Sequence, residues 1–510
     1  MTHNISHERV IENYLRLHGP DLSSEVRKHL VKIQKITPAA ARKRISRAQK
    51  TGKVRRLSHI IFPHRTHFIY LEHQFGSHLF WEKLIKVLLQ KNSAYGLAIA
   101  AVQQRGGLLP LEHFAIACGA PLRQAGHLSP DTIFQRLEKT GLLWKVNFSG
   151  IGECILFIQP DSNYDSMIAY TRARLVTEKF LLLAIKDWLK KLGIVSYDKV
   201  EIREVGTQPK VGTFVWDLTA PSYLGFMAKP TKGGKIKPGF IACDVCLGGV
   251  VNSTGIKPFI NKCVTLRALQ NIGACMQIFV ADKYTKNAFD LLKQKGIIPA
   301  TPRNLFGKEV AEGLTALSEV LRKAAETAID PQQFDQLFDK LGKIEGVSRQ
   351  LRGALFEYLV ADVLRKDGST QVRMNQVFKS DDGREAEADV ISIKDNRLVT
   401  FVECKGYNPD REVPDKHLER WLHHSIPIFF KRIKTHPDWK KLKVRFEFWT
   451  TGSLSQEAFK AFNATKKKIK KSRYTVELRL GHEILKICKS TKDSGLVNTF
   501  QTHFMRIYSE

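Results

Sequence analysis

One segment near the C-terminal end constrains the fold of this chain more than any other. Leu355, Leu359 and Val363 recur at helical spacing, and two runs rich in β-branched residues, 388–393 and 398–402, follow them. The turn sequence KDNR separates the two runs. This order predicts a helix followed by a β-hairpin, which is an α/β unit.

Three charged residues of this hairpin are predicted to lie together. Asp389 stands near the end of one strand, and Glu403 and Lys405, two residues apart, point to the same face of the next strand. Two carboxylates, helped by the backbone carbonyl of Cys404, could hold a hard cation such as Mg²⁺. Such a cation lowers the pKa of a bound water and offsets charge on a phosphate, while a lysine orients that water. A simple ion pair between Glu403 and Lys405 is the alternative.

The arrangement resembles the PD-(D/E)xK nuclease superfamily, to which restriction enzymes and Holliday-junction resolvases belong, over roughly residues 345–490. The resemblance implies that Asp389 and Glu403 are metal ligands for Mg²⁺, or for Mn²⁺, and that Lys405 is the catalytic lysine. In that superfamily a helix before the hairpin often supplies another acid, and Glu357 matches it as a further catalytic residue and metal ligand. A metal-free copy of the fold that only binds nucleic acid is the alternative.

A second, degraded copy of this unit is predicted upstream. Glu178 lies on an amphipathic helical segment much as Glu357 does, Asp217 follows a tryptophan, and Asp244 ends an apolar run. Cys246 stands where Lys405 stands in the other copy. We therefore expect a nuclease-like lobe without full catalytic machinery, or else an unrelated α/β domain.

The cysteines of the upstream lobe allow three interpretations. Cys243 and Cys246 form a CxxC, but no second CxxC or close pair of histidines completes the usual zinc spacing. A redox pair is also conceivable, and buried strand thiols are the interpretation that residue statistics favour. The chain has 8 cysteines at irregular spacing, which indicates a reducing compartment.

The net charge predicts a polyanionic partner. The formal net charge is +31, and two basic runs, 41–56 and 466–473, concentrate part of the excess. Anionic membranes, ribosomes or solubility alone are alternative explanations. Because no run of about 18 apolar residues occurs and the N-terminus has no apolar signal region, we expect a cytoplasmic protein that does not enter a membrane.

The first basic run lies inside a predicted winged helix-turn-helix. Two helical segments precede a third, which Thr37 would cap and Pro38 would begin. In such a module the third helix usually enters the major groove while the wing touches phosphate. The alternative is a charged helix that faces solvent. The candidate nucleic-acid-binding residues of this helix and of the strand after it are Arg42, Lys43, Arg44, Arg47, Lys50, Arg55 and Arg56.

A weaker repeat suggests a second winged-helix-like module. Its third helix begins with Ser129-Pro130 and carries few cations, so it fits packing or dimerisation better than DNA reading. The predicted fold is multidomain α/β and α+β, with N-terminal winged helices followed by two restriction-endonuclease-like α/β lobes, the first degenerate. The predicted ranges are 1–76 for the winged helix-turn-helix, 77–160 for the second winged-helix-like domain, 161–310 for the degenerate lobe, 311–345 for a helical connector and 346–510 for the nuclease domain.

These features predict a metal-dependent DNA endonuclease, and the resemblance to restriction enzymes makes defence against foreign DNA a reasonable role. Lys416 and Arg420, on a helix after the hairpin, are placed to meet phosphates. Alternatives are a catalytically silent winged-helix DNA-binding regulator, the endonuclease subunit of a transposase or repair complex, and an RNA substrate. Homodimerisation stays open, and because no G-x-x-x-x-G-K-[ST] motif occurs, any ATPase would be a defence or transposition partner.

Overall fold

A computed structural model shows a mixed α/β chain that divides into two compact units. One unit contains residues 1–146, 153–167 and 194–300, and the other contains 147–152, 168–193 and 301–510. The structure describes residues 7–50, 53–60, 62, 64, 66–91, 93–148, 150–157, 163–204, 206–230, 236–269, 272–323, 331–342, 347–469 and 473–505. Within these residues, no helix combines the length and the apolar composition needed to cross a lipid bilayer.

The first unit begins with three helices and a small antiparallel sheet. The helix predicted after Thr37 is present, and the Thr37 hydroxyl accepts a hydrogen bond from the Ala40 N–H at 3.3 Å. Ala41 and Ile45 bury the opposite face of that helix from its cations. The strand order is β1-β3-β2. The elements are α1 (His7–His18), β1 (Asp21–Leu22), α2 (Ser23–Gln34), α3 (Pro38–Lys50), β2 (Val54–Arg56) and β3 (Phe68–Leu71).

Four helices and a three-stranded sheet follow, and they belong to the same unit except for residues 147–152. Ser77, Ser93 and Ser129 each cap a helix through a side-chain oxygen. The strand order is β4-β6-β5. The elements are α4 (His78–Gln90), α5 (Ala94–Gln104), β4 (Leu108–Pro110), α6 (Leu111–Ala117), α7 (Pro130–Lys139), β5 (Leu143–Phe148) and β6 (Gly152–Phe157), and the long helix α8 (Tyr164–Lys191) then runs from this unit into the second.

The remainder of the first unit is built on a five-stranded sheet in the order β15-β14-β13-β10-β7. β10 pairs antiparallel with both of its neighbours, whereas β13, β14 and β15 are parallel. The elements are β7 (Glu201–Ile202), β8 (Lys210–Val211), β9 (Phe214–Val215), β10 (Leu218–Ser222), β11 (Lys229–Pro230), β12 (Ile236–Lys237), β13 (Gly239–Val251), α9 (Ser253–Arg267), β14 (Cys275–Tyr284), α10 (Lys286–Gln294) and β15 (Ile298–Ala300).

The second unit is built on another five-stranded sheet, in the order β16-β17-β18-β19-β20. Its first two pairings are antiparallel and its last two are parallel, which is the sequence of pairings found in the first unit. The elements are α11 (Pro302–Phe306), α12 (Lys308–Lys323), α13 (Pro331–Leu341), α14 (Val347–Lys366), β16 (Ser369–Lys379), β17 (Glu385–Lys394), β18 (Leu398–Lys405), α15 (Asp415–Arg420), α16 (Ile426–Thr435), β19 (Lys443–Thr450), α17 (Gln456–Lys468), β20 (Thr475–Arg479), α18 (Gly481–Ser490) and α19 (Ser494–Phe504).

The helix and hairpin that the sequence predicts are confirmed as α14, β17 and β18. Asp395 and Asn396 form the turn between the strands with φ angles of 55° and 49°, a left-handed conformation that Asp and Asn tolerate better than most residues. Phe401 and Phe446 of this sheet are almost completely buried against helices on one face. The hairpin is thereby held in one register.

Candidate active site

The β17–β18 ladder opens where the predicted acids stand. Its last antiparallel pair is Val390 with Val402, so Asp389 and Glu403 each lie one residue beyond it. β17 stays paired with β16 in this region, while β18 stays paired with β19 as far as Lys405. Two strands that separate while each keeps its other neighbour leave a cleft, and the charged side chains occupy it.

Four polar groups converge at this cleft. The Lys405 ammonium lies 2.7 Å from Glu403 Oε1 and 3.6 Å from Asp389 Oδ2, and it donates to the Cys404 carbonyl at 3.1 Å. The Cys404 N–H donates to Asp389 Oδ2 at 2.7 Å, which fixes that carboxylate. The predicted meeting of Asp389, Glu403 and Lys405 is therefore observed. The three side chains keep 14–21% of their surface exposed, so solvent reaches them.

Glu357 lies on α14 and lines a cavity of about 270 Å³ together with Asp389 and Glu387. Burial raises the pKa of Glu357 well above its usual value, and the charge of Asp389 raises it further, while Lys405 opposes the shift. Several carboxyl groups thus share few cations, which is the electrostatic situation that a divalent ion relieves.

The pKa values of the central pair also reflect crowding. Burial and the charge of Asp389 raise the pKa of Glu403 to about 7, although Lys405 acts against this shift. Burial lowers the pKa of Lys405, but the charges of Asp389 and Glu403 outweigh it and leave the pKa raised. Lys405 therefore stays protonated at neutral pH, whereas Glu403 changes its protonation near neutral pH.

The donor set fits a hard cation in kind. The two carboxylates and one carbonyl that meet at the Lys405 ammonium are oxygen ligands of the type that Mg²⁺ and Mn²⁺ take. Across the described ranges, no three or more His, Cys, Asp or Glu side chains are grouped as metal ligands. Asp389, Glu403 and the Cys404 carbonyl are the candidate ligands at the cleft, and Glu357, the third predicted acid, lines the neighbouring cavity without forming such a group with them.

Two residues near this cleft were not predicted. Glu387 stands two positions before Asp389 on β17, so alternation places it on the same face. That period of two in the run EAEAD was the signal available for Glu387. Arg172 comes from the part of α8 that belongs to the second unit and lines the cavity with Glu357. Nothing in its own sequence neighbourhood indicates this position.

The predicted phosphate-contacting residues of the second unit lie on α15. Lys416 and Arg420 are exposed, and the charge of Arg420 reaches Glu403. His417 stands between them, and burial followed by the charge of Lys405 lowers its pKa. α15 thus presents cations beside the cleft.

The predicted DNA-contacting residues of α3 are mostly exposed. Arg42, Lys43, Arg47 and Lys50 face solvent. Arg44 is half-buried and donates to the Gln34 side chain. On β2, Arg55 and Arg56 are exposed, and Arg55 pairs with Glu72 at 3.1 Å. Residues 51–52 and 470–472 of the two basic runs lie outside the described residues.

The upstream sheet repeats the geometry of the cleft with different chemistry. Its β10–β13 ladder ends at the pair Leu218 and Cys243, so Asp217 and Asp244 each lie one residue beyond it. The Val245 N–H donates to Asp217 Oδ2 at 2.7 Å, as the Cys404 N–H does to Asp389. By register, Asp217 corresponds to Asp389 and Asp244 to Glu403.

The cation of the upstream site comes from a place that the sequence pattern did not indicate. Lys262 on α9 contacts Asp244 at 2.6 Å and lies 3.9 Å from the Trp216 ring. Arg203 contacts Asp217 at 2.6 Å. The Lys262 and Asp244 side chains are 1% and 2% exposed, and Asp217 is fully buried, so this site is closed to solvent.

The remaining upstream candidates are buried inside the protein. Glu178 is buried and pairs with Arg174 at 3.1 Å on the same helix. Cys243 and Cys246 are buried, and burial raises the pKa of Cys243 well above its usual value. The burial of both thiols agrees with their interpretation as buried strand cysteines.

No family model matches this chain. No curated protein matches it either. Among solved structures, the structure of restriction endonuclease FokI is similar at 11% sequence identity, over 91% of this chain and 80% of that chain, with a TM-score of 0.20. A similarity at that TM-score carries no weight for the fold or the function. The proposals below therefore depend on contacts within this protein.

Proposed function

We propose that this protein is a metal-dependent DNA endonuclease whose active site is the cleft between β17 and β18. The observation that carries the proposal is the convergence of Asp389, Glu403 and the Cys404 carbonyl on the Lys405 ammonium in a partly exposed cleft. Buried acids that share too few cations are costly for folding alone, and perturbed ionisable groups of this kind cluster at functional sites.

Each residue has a role that follows from its surroundings. Asp389, Glu403 and the Cys404 carbonyl would hold Mg²⁺ or Mn²⁺, with Glu357 as a further ligand. The bound cation would supply Lewis acidity and lower the pKa of water. Lys405 remains protonated and can orient the attacking water or stabilise charge on the phosphate. Asp389 is held in place by the Cys404 N–H, which leaves its other oxygen for the cation.

Two further parts of the chain support nucleic acid as the substrate. The exposed cations of α3 follow two helices and precede two antiparallel strands, which is the order of a winged helix-turn-helix. The upstream sheet has the same pairings as the active one but a closed, internally neutralised site, so we interpret it as a degenerate nuclease-like lobe. Defence against foreign DNA is the role we propose, with a transposase or repair complex as the alternative setting.

The first experiment compares the purified protein with its Lys405→Ala variant on supercoiled plasmid, linear DNA and RNA. Mg²⁺, Mn²⁺ and EDTA are tested in parallel, and Lys308→Ala, an exposed lysine on α12, is the matched control. We expect metal-dependent cleavage of DNA that Lys405→Ala loses by about 100-fold or more and Lys308→Ala retains.

Two results would change the proposal. DNA binding without cleavage under any condition would support a winged-helix regulator with two silent lobes. If the protein cleaves RNA and not DNA, the proposed active site would stand and the proposed substrate would be wrong.

A further inference from the structure

The cavity beside the proposed active site contains a cation that the proposed metal chemistry does not use. Glu357, Asp389 and Glu387 line one part of it, and Arg172 and Asn375 line another. Its volume is about 270 Å³, several times the roughly 30 Å³ that a water molecule occupies in the liquid. It therefore has room for a phosphate group and its solvent.

Arg172 packs against Gly150 at the edge of this cavity. A Cβ atom at Gly150 would lie 2.9 Å from Arg172 Nη2 and 3.0 Å from the Asn375 Cβ, and Gly150 itself has a φ of 73°. A side chain at position 150 would thus displace the guanidinium. Burial lowers the pKa of Arg172, and Tyr358 and Glu387 oppose that shift. An arginine side chain is protonated at neutral pH in any case.

Asn375 stands opposite Asp389 in a strained conformation. The β16–β17 ladder pairs Met374 with Val390 and Gln376 with Ala388, and Asn375 between them has a φ of 52°. A non-glycine residue with positive φ inside a strand costs free energy, and such residues cluster at functional sites. Asn375 lines the same cavity as Arg172.

We infer that Arg172 is a further catalytic residue, which binds the phosphate under attack, and that Glu387 is the positioning residue that orients its guanidinium. This inference rests on the proposed function. During hydrolysis the water oxygen bonds to phosphorus and the bond from phosphorus to the leaving sugar oxygen breaks. The proton that the water loses is balanced by the one that the leaving oxygen gains.

Arg172 neither gains nor loses a proton in this step. Its N–H groups meet the negative charge that builds on the phosphate oxygens, and the planar fork of a guanidinium matches two of those oxygens at once. Glu387 lines the same cavity, and its charge acts on the guanidinium, which favours one orientation of the fork. A lysine at position 172 would keep the charge but lose the fork.

The test measures single-turnover cleavage of plasmid DNA by the full chain and its Arg172→Ala, Arg172→Lys and Glu387→Gln variants. Arg365→Ala, a half-buried arginine beside Asp362 on α14, is the matched control for loss of a packed guanidinium. Mn²⁺ affinity, DNA affinity in Ca²⁺ and thermal unfolding are measured on every variant.

We expect Arg172→Ala to slow cleavage by about 100- to 1,000-fold while Mn²⁺ affinity stays the same or increases. Arg172→Lys and Glu387→Gln should fall between this variant and the natural protein. Free guanidinium ion added to Arg172→Ala should restore part of the rate, and it should not restore Lys405→Ala. A purely structural arginine would give no such rescue.

The inference and the proposed function fail in different ways. If the natural protein cleaves DNA and Arg172→Ala cleaves within threefold of it, Arg172 is structural and the proposed active site stands. A loss of rate that guanidinium ion does not rescue, with an unfolding temperature lower than that of Arg365→Ala, also makes Arg172 structural. If the natural protein cleaves neither DNA nor RNA, the proposed function and this inference are both overturned.

Discussion

The protonation of Glu403 changes near neutral pH. Its pKa is raised to about 7, because burial and Asp389 disfavour its charge more than Lys405 favours it. Its partner Lys405 stays charged across the physiological range because both acids raise its pKa. The cleft therefore gains the negative charge of Glu403 as the pH rises through neutrality. This charge favours the binding of a metal cation.

The prediction at this scale concerns metal affinity. A proton on Glu403 competes with the cation, so Mn²⁺ affinity should rise by up to about tenfold per pH unit below pH 7 and level off above it.

The same group affects the stability of the metal-free protein. Between pH 4.5, the usual pKa of a glutamate, and about pH 7, Glu403 is protonated in the folded protein and ionised in the unfolded chain. The stability contribution of this group therefore falls as the pH rises through that window.

Mn²⁺ titrations followed by electron paramagnetic resonance from about pH 5.5 to about pH 8.5 would measure the dependence. Glu403→Gln should bind the ion more weakly and lose most of the slope. Equal affinity of the natural protein at both ends of the range would contradict the raised pKa as the cause.

At the scale of elements, the two five-stranded sheets have the same order of strand pairings, but their sites differ in solvent exposure and in the source of the cation. In the second unit the cleft is partly exposed and its lysine lies on the same strand as Glu403. In the first unit the cation comes from α9, and Lys262 is fully buried against Trp216. Lys262 pairs with Asp244 and Arg203 pairs with Asp217, so both acids are neutralised within the protein, and we expect the upstream site to stabilise the fold.

A substitution on α9 tests this difference. Lys262→Met keeps an unbranched apolar side chain but leaves Asp244 buried without its ammonium, which should lower the free energy of unfolding by about 3–5 kcal/mol. Lys262→Met combined with Asp244→Asn should recover part of that loss. Urea denaturation measures both, with the exposed Lys286→Met as control, and a Lys262→Met protein as stable as the control would contradict the structural role.

Contacts between residues close together in the sequence could be predicted, whereas contacts between distant segments could not. The meeting of Asp389 with Glu403 follows from a local hairpin, because alternation and a short turn determine which faces coincide. Glu387 was within reach of the same rule. Lys262 and Arg172 were not, because each enters its site from a helix whose approach depends on tertiary packing that no local period encodes.

At the scale of the whole molecule, both compact units carry exposed cations. The exposed cations of α3 and those of α15 belong to different compact units. With a formal net charge of +31, any nucleic acid bound by this chain should release several counterions. Affinity and catalysis can then be weakened independently.

The salt dependence of DNA binding separates the two functions. Arg42→Ala combined with Arg47→Ala should make the plot of log affinity against log salt shallower by about two, while the cleavage rate at saturating DNA stays unchanged. Fluorescence anisotropy at several salt concentrations measures the slope, with Arg16→Ala on α1 as control. An unchanged slope would exclude α3 as the DNA contact.

The register of the β17–β18 hairpin limits how this chain can evolve. Side chains alternate along β18 with a period of two, so one residue added to or removed from the turn at Asp395 and Asn396 would bring the opposite face of one strand toward Asp389. Glu403 and Lys405 would leave the cleft together. Evolution can therefore exchange the turn residues for others that tolerate positive φ. The number of residues between Asp389 and Glu403, however, must stay constant for the site to be kept.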